Sequence, residues 1–186
     1  MTAWPARERE TRFGWELQAS DGVSGRVNSA WPIGWTGEVG LGAAVERTEA
    51  WYARRGRPAW FRLAEGFTRP PELAALLAAR GYAPDTRTLV MTRALADEEA
   101  DAAVVLAAAP TEAFFQPMRE SAPNDADFAE RRDVASHAPA PRAFAVLAVD
   151  GRPASVGASV ATDDLALVFL MRTTPSAQRR GLARRV

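Results

Sequence analysis

Near the end of the chain, Gln178, Gly181 and Ala183 stand in the spacing Q-x-x-G-x-A, with arginines at 179, 180, 184 and 185 and Pro175 just upstream. Residues of these types in this order suit a diphosphate. A strand that runs through a glycine turn into a helix leaves first-turn N–H groups unpaired and aligned, and the helix dipole adds positive potential there. Gly181 lets the backbone approach closely where a side chain would intrude. Arg179, Arg180, Arg184 and Arg185 add fixed charge with bidentate donors.

Other residue types offer less chemistry. The chain has no cysteine and no lysine, which removes thiolates, disulfides and Schiff-base chemistry. His137 is the single histidine, between an alanine-rich helix end and a proline-rich loop, and reads as a surface residue rather than a base or ligand. No metal site is expected. Ser24, Ser29 and Ser155 lack the context of a nucleophile. Glu112, Glu120 and Glu130 read as solvated helix faces, and Trp31, Trp35, Trp51 and Trp60 as core or interface residues. Asp163 and Asp164 fit a turn better than a catalytic role.

The segment TTPSAQRRGLA resembles the acyl-CoA motif of the GNAT acyltransferase superfamily, whose pattern is Gln or Arg, two residues, Gly, one residue, then Gly or Ala. Pro175 falls where that family has a proline at the end of its fourth strand. The resemblance implies that backbone groups of Met171 and Thr173 hydrogen-bond the pantetheine arm, and that Gln178, Arg179, Arg180, Gly181, Leu182, Ala183 and Arg184 form the pyrophosphate loop. It implies acetyl-CoA as cosubstrate and direct attack of an amine on the thioester. A backbone N–H polarises the carbonyl, and a late tyrosine often protonates the thiolate in that family. The strand from Leu165 to Thr173 carries no carboxylate, and the two tyrosines, Tyr52 and Tyr82, are both in the first half, so no catalytic residue is assigned.

Elements must position these groups. A strand is expected over Phe13–Ala19, paired with Gly25–Ile33 across an Asp21-Gly22 turn. A helix capped by Thr36 should follow, with Val39, Ala43, Val45, Ala50 and Trp51 on one face and Gly56 as its stop. Residues 58–64 read as a short buried strand, 70–84 as a helix ending at Gly81, and 86–95 as a further strand. The acidic run Asp97–Asp101 marks a boundary. Beyond it come AAVVLAAA (strand or buried helix), two short amphipathic helices, and three strands with a hairpin turn at Asp150-Gly151. This order predicts an α+β fold with a mostly antiparallel central sheet flanked by helices, in two related modules at 1–95 and 96–186. The first resembles a degenerate GNAT-like domain. It has Gly37, Gly40 and Gly42 where the loop belongs, but no Gln or Arg in register and two acidic side chains, Glu38 and Glu46. The second resembles a GNAT domain that lacks roughly 50–70 residues after its loop. The truncated second domain is the first expectation. The alternative is completion by the first half, in cis or across a homodimer.

Composition bounds the rest. Of 186 residues, 47% are apolar and 25% charged, and 23 basic residues balance 23 acidic ones. That balance argues against nucleic acid and membrane surfaces as partners. The charged N-terminus and the lack of a long apolar run predict a cytoplasmic protein. Two functions remain: an N-acetyltransferase acting on an amine-bearing small molecule or a protein N-terminus, and a non-catalytic module that binds CoA or a partner.

Overall fold

The computed structural model describes residues 4–95, 100–162 and 164–186. Asp97–Glu99 of the acidic run and Asp163 lie outside them. The described chain divides into two compact units.

One unit comprises residues 6–20 and 25–95. Its sheet is β1 (Glu8–Arg12), β2 (Trp15–Ala19) and β3 (Ala30–Trp31), antiparallel in that order. The tight hairpin joins β1 to β2, not β2 to the segment after Asp21-Gly22. Phe13 and Gly14 form its turn with φ of 56° and 82°, the mirror-image geometry that twists with the strands. A methyl at Gly14 would lie 2.7 Å from the Trp35 nitrogen, so glycine is required there by space as well as by φ. The pairing of β2 with β3 spans only Glu16–Leu17. Past it, the Tyr52 hydroxyl donates to the Gln18 carbonyl (3.0 Å) and accepts from the Gln18 N–H (3.2 Å), replacing the missing ladder rung.

Helix α1 (Leu41–Ala53) starts at Gly40 in extended conformation, so Thr36 is not its cap. Its buried face is Ala44, Val45, Thr48, Trp51 and Tyr52, while Ala50 is exposed. Gly56 and Gly81, both at positive φ, follow α1 and α2 (Leu73–Ala79) as expected. Two expected strands do not form. Residues 58–64 contribute one parallel bridge, Phe61 to Ala30, and Trp60 is 44% exposed. Residues 86–95 carry no strand, and Val90 is 91% exposed. Strand propensity expresses a fit to a pleated, half-buried surface, and this apolar run has no paired neighbour among the described residues.

Carboxylates of β1 fasten this unit. Glu8 pairs with Arg55, and Glu10 pairs with Arg12 and accepts from Trp51 Nε1 (2.6 Å). The Arg55 hydrogen bond holds Glu8 below its ordinary 4.5, and the Arg12 and Trp51 bonds do the same for Glu10. A folded value below the unfolded one means the stabilisation is complete above pH 4.5 and lost as pH falls through the folded values. Urea midpoints should therefore drop below pH 4.5, and the double variant Glu8→Gln, Glu10→Gln should be weaker at pH 7 with a flatter acid limb.

The other unit comprises residues 4–5, 21–24, 100–162 and 164–186. Its sheet runs β4 (Val104–Ala107), β5 (Arg142–Val149), β6 (Arg152–Ala161) and β7 (Ala166–Thr173), all antiparallel neighbours. Helices α3 (Glu112–Glu120) and α4 (Asp125–His137) fill the connection from β4 to β5. Thr111 caps α3 and Asn124 caps α4 through their side-chain oxygens, satisfying N–H groups that a helix start leaves open. Asp150 and Gly151, at φ 50° and 75°, make the β5–β6 turn. Phe144, Val156, Ala158, Val160, Phe169 and Leu170 pack against Phe114, Met118, Phe128 and Val134 of the two helices. A smaller cluster of Leu147, Ala154, Ala177 and Leu182 seats the chain's last turns. Among the described residues, no helix is long and apolar enough to cross a membrane.

Candidate active site

β7 and the loop after it hold all the residues expected to bind cofactor. Between the pairs Ala158↔Phe169 and Val156↔Arg172, β7 spends one residue more than β6. That extra residue is a bulge, and Leu170 sits in it at φ 51°. A bulge takes one residue out of the ladder and re-aims the strand beyond it. Met171 is the next residue. Its sulfur would lie 2.3 Å from a methyl placed on Gly157, so the Met171 side chain occupies the space that the glycine on β6 leaves.

Thr173 ends the strand. Its hydroxyl is 2.9 Å from that of Ser155, and its carbonyl accepts from Gln178 Nε2 at 3.4 Å. Ser155 is thus fully buried as a strand-to-strand contact and not a nucleophile. Pro175–Ala177 form one 3-10 turn and Leu182–Arg184 another, so the expected helix start is a single 3-10 turn. Between them, Arg179 and Gly181 adopt the left-handed conformation, at φ 61° and 76°. Hydrogen bonds to protein oxygens are made by the N–H groups of Ala177, Gln178, Arg184, Arg185 and Val186. Among the described residues, no such bond is made by the N–H groups from Arg179 to Ala183. Alternating left- and right-handed residues with unused N–H groups form an anion-binding concavity. A methyl on Gly181 would meet nothing within 4 Å, so the space in front of the turn is open. Leu182 is buried and anchors the turn, while Arg179, Arg180, Ala183 and Arg184 are exposed. Arg185 is committed to Asp101 at 2.6 Å.

The remaining candidates fall elsewhere. Tyr52 and Tyr82 both belong to the other unit, and burial raises each phenol to about 12. Glu46 and Arg80 are paired at 2.8 Å, with Arg80 beside Gly42 in the first turn of α1. His137 is exposed, with Nδ1 2.9 Å from the Asp133 carbonyl oxygen. Glu112 and Glu120 are solvated as expected, but Glu130 is not: it is only 6% exposed. Its Oε2 accepts from the N–H groups of Val23 (2.6 Å) and Ser24 (2.9 Å). The segment 21–24 therefore serves as a ligand for α4 instead of a hairpin turn. A methyl on Gly22 would collide with Glu130 at 2.1 Å. No local sequence pattern announces this contact, because its partners are about a hundred residues apart.

A four-stranded antiparallel sheet with two helices after its first strand, a bulged last strand and a glycine turn behind it is the GNAT arrangement. The chain belongs to the family described as "Probable histone acetyltransferase Rv0428c C-terminal", which matches residues 1–186. It is also similar in fold to a solved structure described as a GCN5-related N-acetyltransferase from Kribbella flavida. The TM-score is 0.65 at 20% identity, over 97% of this chain and 71% of that one. No curated protein sequence matches.

Proposed function

We propose that this chain binds acetyl-CoA through residues 171–184 and transfers the acetyl group to an amine. The run of N–H groups from Arg179 to Ala183 that make no hydrogen bond to protein, in a turn with two residues at positive φ, carries this reading. Those donors and the side chains of Arg179, Arg180 and Arg184 hold the diphosphate. The edge of β7 at Met171 and Thr173 receives the pantetheine arm, and the bulge aims a backbone N–H at the thioester oxygen. The amine nitrogen attacks the carbonyl carbon, the C–S bond breaks, and the thiol leaves with the proton the amine gives up. The family's description supports a protein amine as acceptor. A small amine-bearing metabolite and a protein N-terminus fit the same chemistry.

A second reading is a binding module without catalysis. It is favoured by the absence of a carboxylate from β7 and by the position of both tyrosines in the other unit. Titration calorimetry with acetyl-CoA, followed by thiol release with amine acceptors, separates the two. Saturable binding with amine-dependent thiol release supports the enzyme, and saturable binding without release supports the module. Heats no larger than dilution would remove both.

A further inference from the structure

The turn proposed to hold the diphosphate needs a support that its own hydrogen bonds do not give. From Arg179 to Ala183 the N–H groups make no bond to protein, and a single 3-10 turn, Leu182–Arg184, closes the segment. A helical piece this short does not hold its shape alone, because one or two bonds must fix many dihedrals. Two contacts anchor it. Leu182 is buried with Leu147, Ala154 and Ala177, and the Arg185 side chain reaches Asp101.

The second contact is a fork. Arg185 Nε donates to Asp101 Oδ2 at 2.6 Å, and its Nη2 donates to Oδ1 at 3.4 Å. Asp101 is itself fixed in place. Its Oδ1 accepts from the Ala103 N–H (2.9 Å), and its carbonyl accepts from the Val104 N–H (2.9 Å). Val104 opens β4, pairs with Leu147 of β5 and packs on the same cluster as Leu182. The carboxylate thus stands on the sheet that seats Leu182, so the two anchors share one support. Among the described residues, Arg179, Arg180 and Arg184 have no carboxylate within 4 Å. No Asp or Glu follows Asp164 in the chain. Of the four arginines in this segment, Asp101 takes the one just past the proposed loop.

We propose that Asp101 is a positioning residue for acyl-CoA binding. By holding Arg185 it keeps the 182–185 turn, and the N–H groups before it, in the shape that receives a diphosphate. The inference rests on the proposed acyl-CoA site, and it makes a prediction of sign. Taken as charge alone, a carboxylate beside this loop opposes an anion, so its removal should tighten binding. Taken as a clamp, the same removal should weaken binding, although it leaves the segment one charge more positive.

The test is calorimetric titration of the full chain with acetyl-CoA at constant ionic strength. Asp101→Asn keeps an acceptor for Ala103 and loses the charge, and should bind about three- to fivefold more weakly, the upper range for one exposed ion pair. Asp101→Glu should recover most of that loss. Arg185→Gln added to Asp101→Asn should cost no more than the larger single loss, because both changes break the same contact. In the unliganded Asp101→Asn chain, amide exchange at Arg184 and Arg185 should quicken while β5 and β6 exchange as before. Affinity that is unchanged or tighter in Asp101→Asn, losses that multiply in the double variant, or unaltered exchange at Arg184 and Arg185 overturns the proposal. A wild-type chain that gives no saturable heat would sink the acyl-CoA site and this inference with it. A wild-type chain that binds no better than Asp101→Asn would sink the clamp alone.

Discussion

Gly181→Glu is expected to weaken acetyl-CoA binding at least 100-fold, or about 2.7 kcal/mol, in a calorimetric titration. Two effects add. At φ 76° a residue with a Cβ pays roughly 1–2 kcal/mol to hold the turn. The side chain then projects into the open space before the turn, where nothing lies within 4 Å. A carboxylate placed there opposes the diphosphate directly. Gly181→Ala separates the contributions, since it carries the strain without the charge and should lose no more than about tenfold. Folding should lose no more than that strain, about 1–2 kcal/mol, because the added atoms meet no protein. An unchanged affinity in Gly181→Glu would mean that the diphosphate binds elsewhere.

The parts of this site that could be read from the sequence are those fixed by local chemistry. Gly181 and Asp150-Gly151 take left-handed conformations that few residues accept, so the turns are visible in the residue types. The two helices that Thr111 and Asn124 cap were legible from their amphipathic spacing, and the caps themselves come from the structure. The β7 bulge was not visible, because the strained residue is Leu170 and not a glycine. β1 was hidden for a different reason: ERETR has no apolar alternation, and its carboxylates serve Arg55, Arg12 and Trp51. The reverse error occurred at 86–95, where β-forming residues stand without a partner strand. Glu130 looked like any helix-face carboxylate, since its burial depends on a segment distant in sequence. Local chemistry names turns, whereas burial and pairing are decided by whatever the rest of the chain brings up.

Trp15→Ala should give the largest loss of stability, about 3–5 kcal/mol. Trp15 is fully buried at the centre of the core between β2 and α1. Its ring packs edge-on to Phe13 (6.3 Å) and Phe61 (6.0 Å) and tilted to Trp35 (5.5 Å). Alanine removes all three contacts at once and opens a cavity among rigid rings, which collapse poorly into it. It also orphans the Arg69 carbonyl, which accepts from Trp15 Nε1 at 2.9 Å. Trp15→Phe keeps much of the apolar volume and loses the hydrogen bond, so its cost should be nearer 1–3 kcal/mol. With a urea slope of about 2 kcal/mol/M, the alanine variant's midpoint should fall by roughly 1.5–2.5 M, read by far-UV circular dichroism. A drop below about 0.5 M would mean that the rings close over the gap. The aromatic cluster would then be a plastic filling, and the Gly14 turn with its 2.7 Å approach to Trp35 would be the main device that sets the β1–β2 hairpin against the core.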